Sequence, residues 1–258
     1  MSIPFSLEGK RGVILGIANR HSIAYGCAEV LSGLGAELCI TYLNEKSKPF
    51  VAPLAEKLST TLFLPCDVSK AGELESVFDE AQKQWGTIDF VVHSIAWSPL
   101  DELHGRLVDS SSEGFAMAMD ISCHSFIRTA RLAEPLMKEN GGALITMTYY
   151  GSEKVVDHYG MMGPVKAALE SSVRYMASEL GEYGIRVHSV SPGPMPTRAG
   201  SGIADFDGLM NDAVSRSPLH RLGSPEDVGR LTAFLISDWA SSQTGSQLFV
   251  DAGHNIMA

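Results

Sequence analysis

Seven short apolar runs, rich in β-branched residues and separated by stretches of helical periodicity, constrain the fold of this chain more than any other feature. The runs lie at 12–15, 38–42, 62–64, 90–93, 143–148, 187–191 and 248–250. Each is mostly apolar, without the polar alternation of a half-exposed strand, so each should be buried on both faces. Helical period occupies 22–34, 48–58, 70–85, 111–138, a stretch around 166–180, and 225–236. That order predicts the α/β class, with a doubly wound, parallel, seven-stranded sheet and helices on both faces. The last helix has the clearest start: Ser224 can cap its free amides, Pro225 suits its first turn, and Asp227 adds favourable negative charge there.

No repeat or low-complexity linker divides the 258 residues, so 1–258 reads as a single domain. A chain that is 45% hydrophobic and 19% charged is not a disordered one. No apolar run reaches the ~18 residues of a membrane helix, and no membrane partner is expected. Residues 1–10 lack a basic stretch followed by an apolar one, so no signal peptide is expected. Twenty Lys and Arg against 30 Asp and Glu give a formal charge of -10, which would repel phosphates and argues against nucleic acid. Cys27, Cys39, Cys66 and Cys123 are scattered, with no Cys-x-x-Cys pair. That pattern suggests neither a disulfide framework nor a metal site, and a reducing cytoplasm is the expected location.

Chemistry should collect where strands end. The first strand runs into Gly16, and Ser22-Ile23-Ala24-Tyr25-Gly26 then opens a helix whose free amides could face a pyrophosphate. Gly16 permits a tight turn and Gly26 a close packing of helix on strand. The Gly-x-Gly-x-x-Gly pattern is absent, so this loop is weak evidence taken by itself. Two more strand ends strengthen it: Cys66-Asp67-Val68 and His93-Ser94-Ile95-Ala96. Asp67 could accept from an adenine amino group or cap the helix that follows. The backbone of Ser94, Ile95 and Ala96 could line ribose and nicotinamide, or be small for packing. Together these ends predict a Rossmann-like dinucleotide site. After the second strand, Thr41-Tyr42-Leu43-Asn44-Glu45-Lys46 presents no early basic residue, which favours NADH, while Lys46, Lys48 and Arg20 leave NADPH open.

After the fifth strand come Tyr149, Tyr159 and Lys166. On a helix, seven steps of ~100° return Lys166 to nearly the direction of Tyr159 after a rise of ~10 Å, so both would face one groove. There a phenol could meet a reacting oxygen while an ammonium holds a ribose and lowers the phenol's pKa from about 10. Pro164 lies between the two and could make the helix start late or kink. Met147, Met161, Met162, Met195 and Trp97 fall near the same strand ends, as an acyl pocket or as core filler. The Gly- and Pro-rich segment after the sixth strand, with Met195, Thr197, Ile203 and Phe206, reads as a lid of about 192–216 or as an ordinary surface loop.

The Tyr159-x6-Lys166 pair, Tyr149 ten residues earlier, the strand ends above, Asp120-Ile121-Ser122 and Ala199-Gly200-Ser201-Gly202-Ile203 together carry a resemblance. The chain resembles the NADH-dependent enoyl-acyl-carrier-protein reductases of bacterial fatty-acid synthesis, a branch of the short-chain dehydrogenase/reductases. The resemblance implies Tyr159 as donor to the thioester carbonyl, Lys166 as ribose anchor and Tyr149 as a second pocket tyrosine. It implies cofactor contacts at Gly16, Ser22, Ile23, Asp67, Val68, Ser94, Ile95, Ala96, Lys166, Met195 and Thr197. Substrate contacts would fall at Ala96, Trp97, Tyr149, Tyr159, Met162, Ile203 and Phe206. It further implies hydride transfer from NADH to the β-carbon of a trans-2-enoyl thioester, and a homotetramer. The thioester would be carried on acyl carrier protein or CoA, and Arg198, Arg216 and Arg221 are candidates for docking an acidic carrier. Ketone-reducing relatives place Lys four residues after the Tyr and Ser about thirteen before it, where this chain has Gly163 and Thr146. A carbonyl or alcohol dehydrogenase is the alternative enzyme, and a nucleotide-binding protein without catalysis the alternative of another class.

Overall fold

A computed structural model describes residues 5–197 and 206–257 of the chain. Its strands are β1 (Arg11–Leu15), β2 (Glu37–Tyr42), β3 (Leu62–Pro65), β4 (Phe90–His93), β5 (Gly142–Met147), β6 (Ile185–Pro192) and β7 (Gln247–Val250). They form one sheet in the order β3-β2-β1-β4-β5-β6-β7, with every pairing parallel. The order reverses between β1 and β4, and that switch point opens a crevice at the carboxyl ends of these strands. The helices are α1 (Ile23–Gly33), α2 (Lys48–Lys57), α3 (Glu73–Trp85), α4 (Leu100–Leu103), α5 (Ser112–Met119), α6 (Ser125–Met137), α7 (Met162–Leu180), α8 (Phe206–Arg216) and α9 (Pro225–Ile236). Among the described residues no helix is long and apolar enough to cross a membrane.

Both faces of the central strands are buried, which is why β1, β4 and β5 read as mostly apolar runs. Val13, Val91, Leu144 and Val187 point into a core shared with α3, α6 and α7. Ile14, Val92, Ile145 and Val190 point the other way, into a core shared with α1 and α9. The start of α9 is as the sequence predicts: Ser224 Oγ accepts from the Asp227 amide at 3.1 Å, and the Asp227 carboxylate accepts from the Ser224 amide at 3.1 Å.

Four local expectations need correction. The close approach at Gly26 is to another helix, not to a strand. A Cβ at Gly26 would lie 2.4 Å from Pro225, and one at Gly229 would lie 2.6 Å from the Gly26 carbonyl, so α1 and α9 cross on two glycines. Helix α3 starts at Glu73 rather than 70, because Gly72 (φ +87°) turns the chain and donates its amide to Glu75. The helix expected over 111–138 carries a π turn at Asp120–His124. There the buried Ser122 hydroxyl both donates to the Trp97 carbonyl and accepts from the Trp97 amide, each at 2.9 Å, tying the loop after β4 to the helix. Helix α7 begins at Met162, with Pro164 in its first turn, where a missing amide costs nothing.

The α1–α9 crossing makes a direct prediction. Gly26→Val should overpack it and lower stability by about 1–3 kcal/mol, read as the shift in a urea unfolding curve, whereas Gly33→Ala, with open space around its Cβ, should not.

Candidate active site

The exits of β1 and β4 form the floor of the crevice. Gly16 has φ +101°, and a Cβ there would sit 2.2 Å from the Ser94 carbonyl oxygen. The Ser94 amide returns a hydrogen bond to the Leu15 carbonyl at 3.0 Å. Ser22 does not cap α1 with its hydroxyl; Oγ instead accepts from the amides of Ala18 and Asn19 at 3.0 and 3.1 Å and shapes the loop. The amides of Ile23 and Ala24 in the first turn have no intrahelical acceptor and are free to face an anion.

At the end of β3, Asp67 Oδ1 accepts from the Ser69 amide at 3.0 Å and the Ser69 hydroxyl at 2.6 Å. Asp67 therefore organises its own turn, and Gly72 with Glu75 starts α3 in its place. The Val68 carbonyl accepts from Arg128 of α6 at 2.8 Å, and Arg128 also reaches Asp120 at 3.4 Å. Nothing in the sequence marked Arg128, whose helix neighbours one turn away include His124, Ser125 and Arg131. Beyond β4, Ser94 and Ile95 are half-buried, while Ala96 and Trp97 are exposed and present open surface. At the end of β2, Lys48 Nζ lies 3.4 Å from the Glu45 carboxylate and 5.3 Å from the Tyr42 ring centroid, and Tyr42 itself donates to Glu45 at 3.2 Å.

Tyr149, Tyr159 and Met162 share one buried cluster. The rings of Tyr149 and Tyr159 meet edge to face with centroids 5.0 Å apart, and Tyr150 lies against Tyr149 at 4.7 Å. Tyr159 is not on the helix that carries Lys166, so the one-face argument does not place it. It precedes α7 on a tight turn: the Met162 amide donates to the Tyr159 carbonyl at 3.0 Å, and Gly160 has φ +43° with the Leu103 carbonyl 2.6 Å from where a Cβ would be. The turn, and not helical phase, sets Tyr159 against Tyr149.

Lys166 is 4% exposed, and Nζ donates to the carbonyl of Met147, the last residue of β5, at 2.7 Å. Burial pushes the Lys166 ammonium down to about 8, while Glu170 and Cys123 oppose the fall. The Tyr159 phenol moves opposite to the sequence expectation: burial raises it, and the negative charge of Glu170 raises it further. Tyr149 is raised too, first by burial and then by the neighbouring Tyr150 and Tyr159. Both phenols thus stay protonated and can act as donors, which a phenolate could not.

His93 is fully buried, with Nε2 2.8 Å from Ser125 Oγ and Nδ1 3.2 Å from Thr146 Oγ1. Burial, helped by the charge of Lys166, holds it down at about 3, so the ring is neutral. Met147, Met161, Met162 and Met195 are all buried, the first and last in the core on the α1–α9 side. The Thr197 amide donates to the Met195 carbonyl at 2.7 Å.

Of the expected lid, Arg198, Ile203 and the whole span 198–205 lie outside the described residues. Phe206 opens α8 and is half-buried. His254 Nε2 is 3.8 Å from Asp212 of α8, and the His254 ring meets Tyr150 at 5.2 Å, so α8 connects to the tyrosines through the final turn. Arg216 pairs with Asp212 at 3.3 Å and Arg221 with Asp227 at 2.9 Å.

A family model described as Enoyl-(Acyl carrier protein) reductase matches residues 16–255. The chain is 46% identical to Enoyl-[acyl-carrier-protein] reductase [NADH] 1 of Rhizobium meliloti over 96% of this chain and 91% of that one. It is 42% identical to the corresponding [NADH] enzyme of Bacillus cereus over 97% and 98%. A crystal structure of the reductase from Anaplasma phagocytophilum in complex with NAD superposes with a TM-score of 0.94 at 46% identity, covering 98% of this chain and 96% of that one. The Bacillus cereus reductase with NADP+ and an indole naphthyridinone superposes with a TM-score of 0.95 at 42% identity, covering 98% of each chain.

The depressed Lys166 gives a pH signature. Between about 8 and the ordinary 10.5, the unfolded chain holds a proton that the folded chain has released. The contribution of this group to stability therefore rises with pH through that window and is least favourable below it. Unfolding midpoints of wild type minus Lys166→Met, measured across the window, should increase with pH.

Proposed function

Because the chain belongs to the enoyl-(acyl carrier protein) reductase family, we propose that it reduces a trans-2-enoyl thioester with hydride from NADH. The single observation that carries this reading is a pair of buried phenols held in the donor form at the end of β5, with the Lys166 ammonium on the adjoining carbonyl.

The residues present fit a dinucleotide. Gly16 leaves a cradle that a Cβ would fill, and the first-turn amides of α1 suit a pyrophosphate. Ser94, Ile95 and Ala96 offer backbone to ribose and nicotinamide; Met195 and Thr197 close the far side; Val68 and the second carboxylate oxygen of Asp67 serve the adenine. Lys48 is committed to Glu45 and Tyr42, which supports NADH over NADPH. When bound, the cofactor supplies a hydride to the β-carbon of the substrate.

The chain's own part is to receive the charge that results. Electrons displaced from the double bond collect on the thioester oxygen as an enolate. Tyr159 donates a hydrogen bond to that oxygen, and its raised pKa keeps the proton in place until the charge arrives. Tyr149, buried against Tyr159, supplies a second donor to the same pocket. Lys166 holds the ribose and leaves a positive charge close by. Ala96, Trp97, Met162 and Phe206 contact the acyl chain.

The ketone-reducing alternative is disfavoured by a specific contact. Thr146, at the position where those relatives carry a catalytic Ser, is fully buried and turned to His93, so its hydroxyl is not available to a substrate. Residues 1–258 would act as one domain with a lid over 192–216, as a cytoplasmic homotetramer taking acyl-carrier-protein or CoA thioesters. Since Arg216 and Arg221 are already paired, carrier docking would rest on exchanging those partners.

Tyr159→Phe should lower kcat with an enoyl-CoA by about 10²- to 10³-fold with little change in NADH affinity, followed as loss of NADH absorbance. Turnover of a ketone in preference to the enoyl thioester would overturn the reading.

A further inference from the structure

Glu170 is a buried acid for which the chemistry above has no use. It is 6% exposed, one turn beyond Lys166 on α7. A carboxylate withdrawn from water is costly unless its oxygens are satisfied. Here Oε1 accepts from two hydroxyls, Thr148 Oγ1 and, at 2.6 Å, Ser152 Oγ.

Those two hydroxyls flank Tyr149, Tyr150 and Gly151, the turn that carries the second phenol. One residue upstream, Lys166 Nζ grips the Met147 carbonyl at 2.7 Å. Two residues of α7 thus staple the chain at 147, 148 and 152, and between the staples the Tyr149 ring is pressed on Tyr159. Glu170 and Lys166 form no direct ion pair, yet the carboxylate favours the ammonium and opposes its loss of charge on burial. The other groups around Lys166 are Cys123 from the π turn and His93 from β4, while Glu153 and Tyr159 act on or feel Glu170.

We propose that Glu170 is a positioning residue: it touches no substrate, seats Tyr149 through the Thr148 and Ser152 hydroxyls, and provides the counter-charge of Lys166. The proposal rests on the enoyl-reductase reading, and its two arms separate the staple from the charge. Glu170→Gln keeps an oxygen for both hydroxyls and removes the charge. NADH affinity, titrated by fluorescence from about pH 6 to 9, should then lose its inflection near 8 and show it about one pH unit lower. Thr148→Val with Ser152→Ala keeps the charge and removes the staple. It should lower kcat by about tenfold to a hundredfold, leave the KM for NADH and the inflection in place, and add nothing further in a Glu170→Ala background. An unmoved inflection in Glu170→Gln, or an unchanged kcat in the hydroxyl double variant with only a lower melting temperature, would reduce Glu170 to a brace of the fold. If the wild type turns over no enoyl thioester, the functional reading fails, and the NADH arm still decides whether Glu170 charges Lys166.

Discussion

A buried ammonium needs oxygen partners, and Lys166 finds one in the carbonyl that ends β5. Much of the site is arranged around that bond. It draws α7 against the strand whose continuation carries both Tyr149 and Tyr150. It places a cation out of water, so the charge acts strongly and at short range. That charge adds to the burial that keeps His93 neutral. Together with Glu170 on Thr148 and Ser152, the Lys166 bond fixes the height of α7 relative to the exit of β5.

The glycines of the first loop solve a different problem, the contact of backbone with backbone. Gly16 lets the exit of β1 lie on the exit of β4, while Gly26 and Gly229 let α1 lie on the start of α9. The same helix is therefore anchored at its foot by the sheet and along its flank by α9, and its amino end is left open to the crevice. These two contacts hold the start of α1 still at the crevice.

What the sequence made legible was whatever depends on local pattern. Short, mostly apolar runs marked all seven strands, and Ser224, Pro225 and Asp227 marked the start of α9 to the residue. Periodicity also marked six helical stretches but not α4 or α8, and could not see an extra residue inside a helix, so the π turn at Asp120–His124 went unread. Pro164 suggested a break or a late start, yet a proline in a first turn is compatible with an uninterrupted helix, and α7 begins before it. The Tyr159–Lys166 spacing suggested one shared helix face, whereas Tyr159 sits on a turn that Gly160 and Leu103 define. The direction of its pKa was misjudged because burial and Glu170 are tertiary facts. Glu170 itself looked like any solvated acid on an amphipathic helix, and only Thr148 and Ser152, distant in sequence, reveal otherwise.

The surplus residue between α5 and α6 has a consequence for how the chain can change over time. Winding a helix with one residue too many turns everything before it by about 100° relative to everything after it. That phase jump is what brings Ser122 round to Trp97 while Phe126 still faces the sheet. Deleting any one position from 120 to 124 would restore uniform winding and swing one of those two groups out of place. The number of residues here is thus tied to two contacts at once, that of Ser122 with the Trp97 backbone and that of Phe126 with the core.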